Sequence, residues 1–320
     1  MNLQQPITFV CTLCAALSLS AQPASKKATL EGRDYTESTS YNDAYRGTPR
    51  RLQYVPDGED FVCVNGKNRY TRALYGSHTA YRVETSDRPV FAIYNKPKSW
   101  NIAFRLSSNG REGLALDSTA YCEARYTPGR RSYVLADPAW GTDSLRVSVL
   151  PLPDSEEAIW RFEGPQDCRF EGRLAPIRAK RLSRNGDMGA DPADSFEASL
   201  TQPATTTAFT TDKTGIAYVL YTDGKLRRLS TARGRKLYQQ AEAAREALVS
   251  RFRIETPDPF INTLGGALVA AADGIWDGQV WLHGANGWRM PLAGCLYGRL
   301  PGMVRPRPHT LRQLCRLAGH

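Results

Sequence analysis

The chain has 320 residues, of which 41% are hydrophobic and 10% aromatic, a globular composition that excludes wholesale disorder and sets a size of one large or two medium domains. Seven Cys in this length are too sparse for a disulfide scaffold, and after residue 21 no apolar run approaches the ~20 residues of a membrane span. The net charge of +10 raises the question of nucleic acid, but half of that excess lies in the last 26 residues, which hold five Arg and no acid; elsewhere the signs are interspersed, so nucleic acid is not an expected partner.

Ile7 to Leu19 is an apolar run ending in the small residues Ser18, Ser20 and Ala21. Its length fits the apolar region of a signal peptide and is short for a span, although Met1–Pro6 carries no Lys or Arg. Residues 1–21 are therefore read as a signal peptide and the protein as exported, to the periplasm or the cell surface. Cleavage removes Cys11 and Cys14, and export places Cys63, Cys122 and Cys168 in an oxidising space. Either these three are small buried hydrophobes or two of them form one disulfide.

Residues 22–230 read as a β domain. Strands are expected at Glu59–Val64, Arg69–Tyr75, Thr79–Glu84, Val90–Tyr94, Asn101–Leu106, Ala120–Tyr126, Arg131–Leu135, Ser144–Leu150, Ala158–Glu163 and Ile216–Tyr221. They are rich in Val, Tyr, Phe and Ile and separated by turn residues. Asn65-Gly66 predicts a hairpin turn. Strands at this spacing predict a large antiparallel β-sandwich. Residues 180–212 read as an irregular polar excursion, and the basic stretch Lys225–Lys236 as a solvated turn or helix.

The hydrophobic period changes at Thr231. From Arg233 to Arg253 the apolar positions Leu237, Ala241, Ala244, Leu248 and Phe252 share one helical face. A second helix follows Thr256-Pro-Asp-Pro259, with Asp258 as cap and Pro259 in the first helical position. It runs to about Ile275 with Phe260, Leu264, Ala267, Leu268 and Ala271 on one face. Gly265 and Gly266 inside it point to close helix packing rather than phosphate binding.

Three consecutive stretches, Glu255-Thr-Pro-Asp-Pro-Phe-Ile-Asn-Thr-Leu-Gly-Gly-Ala-Leu268, Asp273-Gly-Ile-Trp-Asp277 and Trp281-Leu-His-Gly-Ala-Asn-Gly-Trp-Arg-Met-Pro-Leu-Ala-Gly294, resemble exported Bacteroidetes proteins in which a β-sandwich precedes an (α/α)6 barrel. These belong to the six-hairpin glycosidase superfamily, which includes the α-L-rhamnosidase-like enzymes. Asn68-Arg-Tyr-Thr-Arg-Ala-Leu-Tyr-Gly76, Thr85-Ser-Asp-Arg-Pro89, Tyr126-Thr-Pro-Gly129 and Asp137-Pro138 resemble a family of unknown function found ahead of that barrel. The resemblance spans about residues 35–294. It implies a mainly β fold: a large antiparallel sandwich, then over residues 231–294 a linker helix and the first helical hairpin of an incomplete (α/α)6 barrel. Glycosidases of this superfamily work with paired carboxylates, which by resemblance lie on later hairpins. No catalytic residue is assigned here.

Around the second helix, Asp273, Trp276, Asp277, His283, Trp288 and Arg289 form a candidate substrate-binding edge. Aromatic faces stack on sugar rings, while Asp, His and Arg hydrogen-bond hydroxyls. The expected partner is a polysaccharide or oligosaccharide. No Walker loop, dinucleotide fingerprint, zinc spacing or nucleophile elbow is present, so neither a cofactor nor a metal is expected. The function these readings imply is that of an N-terminal fragment of an exported glycoside hydrolase-like protein in polysaccharide breakdown, inactive alone. The alternative is a non-catalytic carbohydrate-binding or surface interaction module, with Trp100, Trp140 and Tyr126 as its aromatics.

Cys295–His320 has no acid, carries Pro301, Pro306 and Pro308 within a short stretch, and shows no helical period. It is read as an out-of-frame or disordered basic tail. Met303-Val304 must be encoded ATG-GTN, so the frame that takes the last two bases of each codon gives Trp there, and codon degeneracy allows an amphipathic helix to follow. Sequencing the gene past codon 294 is expected to show an open frame continuing in the alternative register; its absence rules out the frameshift.

Overall fold

In the computed structural model the described residues are 26–30, 33–37, 54–76, 81–95, 99–108, 111–140, 143–177 and 204–276. Residues 1–21, read above as a signal peptide, the tail 295–320 and the part of the expected excursion from 180 to 203 lie outside them. Two compact units divide the chain at Leu52. In the first, β1 (Lys26–Leu30) pairs antiparallel with β2 (Arg33–Glu37).

The second unit is built from alternating strands whose inward residues are apolar. In β12 (Ser144–Pro151), Leu145 and Val147 are buried between exposed or half-exposed neighbours, the period-2 signature of a strand with one face on a core, and the alternation ends at Val149 and Leu150, both buried. The first sheet adds β3 (Val55–Asp57), β4 (Asp60–Val64), β10 (Tyr121–Thr127), β11 (Arg130–Ala136), β13 (Ala158–Glu163), β16 (Ile216–Thr222) and β17 (Lys225–Leu229), in the order β17-β16-β13-β12-β11-β10-β4-β3. The second holds β5 (Arg72–Tyr75), β6 (Tyr81–Thr85), β7 (Val90–Asn95), β8 (Ser99–Ser108), β14 (Arg169–Ile177) and β15 (Thr205–Thr210), in the order β15-β14-β8-β7-β6-β5, with β9 (Arg111–Ala115) beside β8. All pairings are antiparallel. The inner faces meet in one core centred on aromatics. Phe91 meets Trp160 edge-on with ring centroids 5.5 Å apart, and Phe104 meets Phe162 at 4.9 Å. Such contacts add about 0.5–1.5 kcal/mol each beyond the area they bury.

The predicted sandwich is thus observed, but Asn65-Gly66 is not a hairpin. β4 pairs with β3 and β10, and the chain leaves it for the other sheet. Asn65 takes a left-handed φ of 50°, and a Cβ on Gly66 would lie 2.5 Å from Asp87 Oδ2 and 2.6 Å from Cys63 Sγ. The Asn-Gly pair makes a close-packed corner between sheets, using the same backbone freedom a hairpin turn needs. β14, β15 and β17 fall where no strand was expected.

On the outer face of the first sheet lies α1 (Thr231–Val249), N-capped by Ser230. It seats Tyr238 and Ala241 on Leu150, Ile159, Tyr218 and Leu220. A Cβ on Gly234 would come 2.3 Å from the Tyr218 ring, so glycine sets how closely the helix approaches. Then α2 (Pro259–Asn262) and α3 (Leu264–Gly274) follow. The expected cap is present: the Phe260 N–H donates to Asp258 Oδ1 at 2.8 Å, with Pro259 in the first turn. The expected apolar face is corrected. Leu264 and Leu268 are exposed, and the buried side of α3 is Gly265, Val269 and Ala272. The helix is apolar nearly all round, so its pattern does not select a face; the glycine side wins because it approaches closest. An (α/α)6 barrel is not observed, the described helices being these three segments.

One buried centre ties the two sheets together. Asp87, between β6 and β7, is fully buried. Its carboxylate accepts from the Tyr54 hydroxyl at 2.8 Å, the Asn68 N–H at 3.0 Å and the Thr71 hydroxyl at 3.3 Å. Arg131 on β11, in the opposite sheet, sits 3.6 Å from Oδ1 and donates to the Ser86 carbonyl, as does the Tyr133 hydroxyl. Removing one member of a buried ion pair leaves the other uncompensated, at a cost of about 3–5 kcal/mol. Asp87→Ala is therefore expected to lower unfolding stability by about that amount in urea denaturation, more than any exposed acid-to-alanine change; a loss under ~1 kcal/mol contradicts the role given to it.

Candidate functional site

The carboxyl end of α3 carries the described part of the candidate edge. Small residues bring the helix into place: a Cβ on Gly265 would meet the Phe252 carbonyl at 3.0 Å, one on Gly266 would meet Pro128 at 3.2 Å, and one on Gly274 would meet the Tyr75 ring at 2.2 Å. Close packing accounts for Gly265 and Gly266, as the sequence suggests. This seating places Asp273 and Trp276 next to β5, within one helical turn of each other. Both are buried, Asp273 being 1% exposed and Trp276 fully enclosed with Ile275 and Tyr75. Trp276 presents no ring face to solvent in this arrangement. Asp277, His283, Trp288 and Arg289 lie outside the described residues.

Between α1, α3 and the sandwich is a cavity of about 90 Å³ lined by Tyr75, Tyr126, Arg245, Leu248 and Asp273, among others. A water occupies ~30 Å³ of liquid and ligand sites span ~300–1,000 Å³. At about 90 Å³ the cavity is well below the size of a typical ligand site. Arg245 forms its charged wall. Nη1 donates to the Pro128 carbonyl at 2.9 Å, and Nη2 to Glu242 at 2.8 Å and Glu246 at 2.6 Å. Burial pulls the guanidinium pKa down, but Glu242 and Glu246 outweigh it and hold the group above its ordinary value.

Other buried acids serve the framework. Glu84 pairs with Arg82, whose guanidinium lies 4.0 Å from the Tyr94 ring centroid. Glu123 accepts from Arg125, which also binds Asp57 at 2.6 Å and Asp60 at 3.1 Å. Of the buried acids Glu84, Asp87, Glu123 and Asp273, only Asp273 lines the cavity. Among the described residues no group of three or more His, Cys, Asp or Glu is placed to hold a metal ion. Trp100 and Trp140 pack partly buried against the sandwich core, and Tyr126 lies within it. The exposed large hydrophobics among the described residues are Phe252, Ile261, Leu264 and Leu268, none of them a Trp or Tyr.

The missed polar centre is that of Asp87. Its signal was the Thr85-Ser-Asp-Arg-Pro89 string, where a charged pair stands directly before the apolar run of β7. The Cys122 thiol donates to the Asp87 carbonyl at 3.5 Å, and burial pushes its pKa up to about 12. Cys63, Cys122 and Cys168 are free thiols, the first two buried. Thiolate is the reactive form. In the native protein at pH 8, iodoacetamide followed by peptide mapping is expected to label Cys168 ahead of Cys63 and Cys122, which react only on unfolding; early labelling of Cys122 contradicts this packing.

Residues 101–237 match a family described as a domain of unknown function, DUF4450. The match runs from β8 into the opening turns of α1 and includes neither the Asn68 and Thr85 strings nor α3. No curated protein matches the chain. The chain thus carries a β-rich domain of unknown function, and the expected likeness to a glycosidase superfamily is not part of that match.

Proposed function

We propose that the chain is the sandwich and opening helices of an exported glycoside hydrolase-like protein that takes part in polysaccharide breakdown, and that it does not itself cleave glycosidic bonds. The observation that carries this reading is the apolar row on α2 and α3. Ile261, Leu264 and Leu268, spaced three and four apart on one helical face, are between 41 and 46% exposed, and Phe252 beside them is 41% exposed. A contiguous exposed apolar row of this kind marks a surface built for further packing. The helices lie on a sandwich whose own core is complete, as they would where a sheet domain supports a helical one.

One further observation supports the non-catalytic reading. Hydrolysis needs two acids facing a sugar across about 5–9.5 Å, whereas among the described residues three of the four buried acids are held in framework ion pairs and the fourth lines a cavity of about 90 Å³. The alternative of an aromatic carbohydrate-binding face keeps only two of its three residues, since Tyr126 is buried in the core while Trp100 and Trp140 are partly buried against it. Incubating the purified chain with plant and host polysaccharides, with reducing ends measured over a day, is expected to show no release above a heat-treated control. Sugar release that co-purifies with the chain through successive columns overturns the non-catalytic reading.

A further inference from the structure

Some of the guanidinium groups in the sandwich are answered by a carboxylate: Arg69, Arg82, Arg125, Arg130, Arg131, Arg161, Arg245 and Arg253 each lie in an ion pair. Others, such as Arg146 and Arg169, stand singly, but one stretch gathers several cations side by side. Lys225, Arg227, Arg228, Arg233, Arg235 and Lys236 are all exposed, none has an ion-pair partner among the described residues, and no acid interrupts them. They run along β17, the outer edge of the first sheet, and around the first turns of α1, which begins two residues later. At ~3.3 Å per strand residue and 1.5 Å per helical residue, all six lie within about 25 Å. The positive end of the α1 dipole is at the same place.

Edge protection explains part of this cluster. Lysine and arginine on an exposed edge strand discourage pairing with another sheet, and Lys225, Arg227 and Arg228 are so placed. It does not explain Arg233, Arg235 and Lys236, which are on the helix beyond the edge. Two acids lie close by and offset only part of the charge: Asp212, whose carboxylate accepts from the hydroxyls of Thr214 at 2.6 Å and Thr231 at 2.5 Å, and Asp223 in the turn before β17.

We infer that the β17 edge and the first turns of α1 form a docking surface for an acidic polysaccharide, one bearing uronate or sulfate groups. The partner is a flexible polyanion held by charge rather than shape. α1 lies flat on the sheet through Gly234, Tyr238 and Ala241, so it is not free to enter a duplex groove as a reading helix does. A single-stranded nucleic acid needs exposed aromatic platforms, and the exposed large hydrophobics among the described residues include no Trp or Tyr. A membrane surface needs apolar residues beside the charge, whereas Leu226 and Leu229 are buried. The choice of a polysaccharide among polyanions rests on the exported reading given above.

The test is binding of the full chain to dextran sulfate, polygalacturonate, unmodified dextran and duplex DNA, measured by titration at 50 and 200 mM salt. The wild-type chain is compared with a patch variant (Arg227→Gln, Arg228→Gln, Arg233→Gln and Arg235→Gln) and a tail variant (Arg305→Gln, Arg307→Gln, Arg312→Gln and Arg316→Gln). Thermal unfolding checks that both variants fold. The wild-type chain is expected to bind the two acidic polysaccharides and not dextran, with affinity falling on the order of 10²-fold between the two salt concentrations. The patch variant is expected to bind at least ~10-fold more weakly at low salt with a shallower salt slope, the tail variant less affected. No binding, unchanged binding by the patch variant, loss confined to the tail variant, or equal binding to dextran each overturns the surface while leaving the non-catalytic reading intact. Tighter binding to DNA than to either polysaccharide overturns the partner and the exported-glycan reading together.

Discussion

A single buried carboxylate decides how the two sheets of this protein face each other. Asp87 belongs by chain order to the second sheet, yet Arg131 and Tyr133 reach its loop from the first, and Tyr54, Asn68 and Thr71 converge on it from the segments that lead into and out of β4 and β5. A sandwich core is apolar and nearly isotropic, so hydrophobic burial alone holds the sheets together without fixing their offset. A fully satisfied polar network has one geometry, and at low local dielectric every alternative offset leaves a buried donor or charge unpaired. Its net contribution to stability is modest beside the aromatic core. Its contribution to uniqueness is larger, because the misaligned states are the ones it penalises.

That constraint propagates outward. Fixing the corner at Asn65-Gly66 against Asp87 sets where the chain crosses to β5, and β5 is the strand against which α3 packs through Tyr75 and Gly274. The same sheet alignment presents Tyr218, Ile159 and Leu150 on the outer face where α1 lands. The helical layer therefore inherits its position from the sandwich. The exposed row at Ile261, Leu264 and Leu268 follows, since the glycine-bearing side of α3 has the closer approach and turns the leucines outward.

Strands with strong alternation, such as β11 and β12, were legible because one face is buried and the other is not. Seven strands, β1, β2, β3, β9, β14, β15 and β17, were not legible, and the last three show physical reasons. β14 carries Gly172 and Pro176, which weaken a strand pattern, and Gly172 is there because Phe104 and Leu226 crowd it at 3.0 Å. β15 is a threonine-rich edge with little to bury, and β17 is disguised by its arginines. In α1 the period was right and the phase off by about one residue, because Gly234 rather than Leu237 is the point of closest contact. For the candidate edge, the sequence places Asp273 and Trp276 within one helical turn but carries no information on depth: a tryptophan near the end of an apolar helix reads the same whether it stacks on a ligand or closes a core. Nothing local distinguishes these cases, since burial of Trp276 depends on β5, two hundred residues earlier in the chain.

The distribution of charge makes the division between framework and surface explicit. Several of the arginine–carboxylate pairs in this fold join distant segments: Arg125 to Asp57 and Asp60, Arg130 to Glu242, Arg253 to Glu59. Exposed pairs contribute little individually, so their value lies in fixing which segments are neighbours. The unpaired cations of β17 and α1 fix nothing, as both elements are already held by the sheet ladder and by the Tyr238 and Ala241 contacts. Like charges crowded within a few residues repel one another and cost stability. Six exposed cations gathered along β17 and the first turns of α1 carry that repulsion without structural return, which is the physical reason for assigning this surface to a partner of opposite charge.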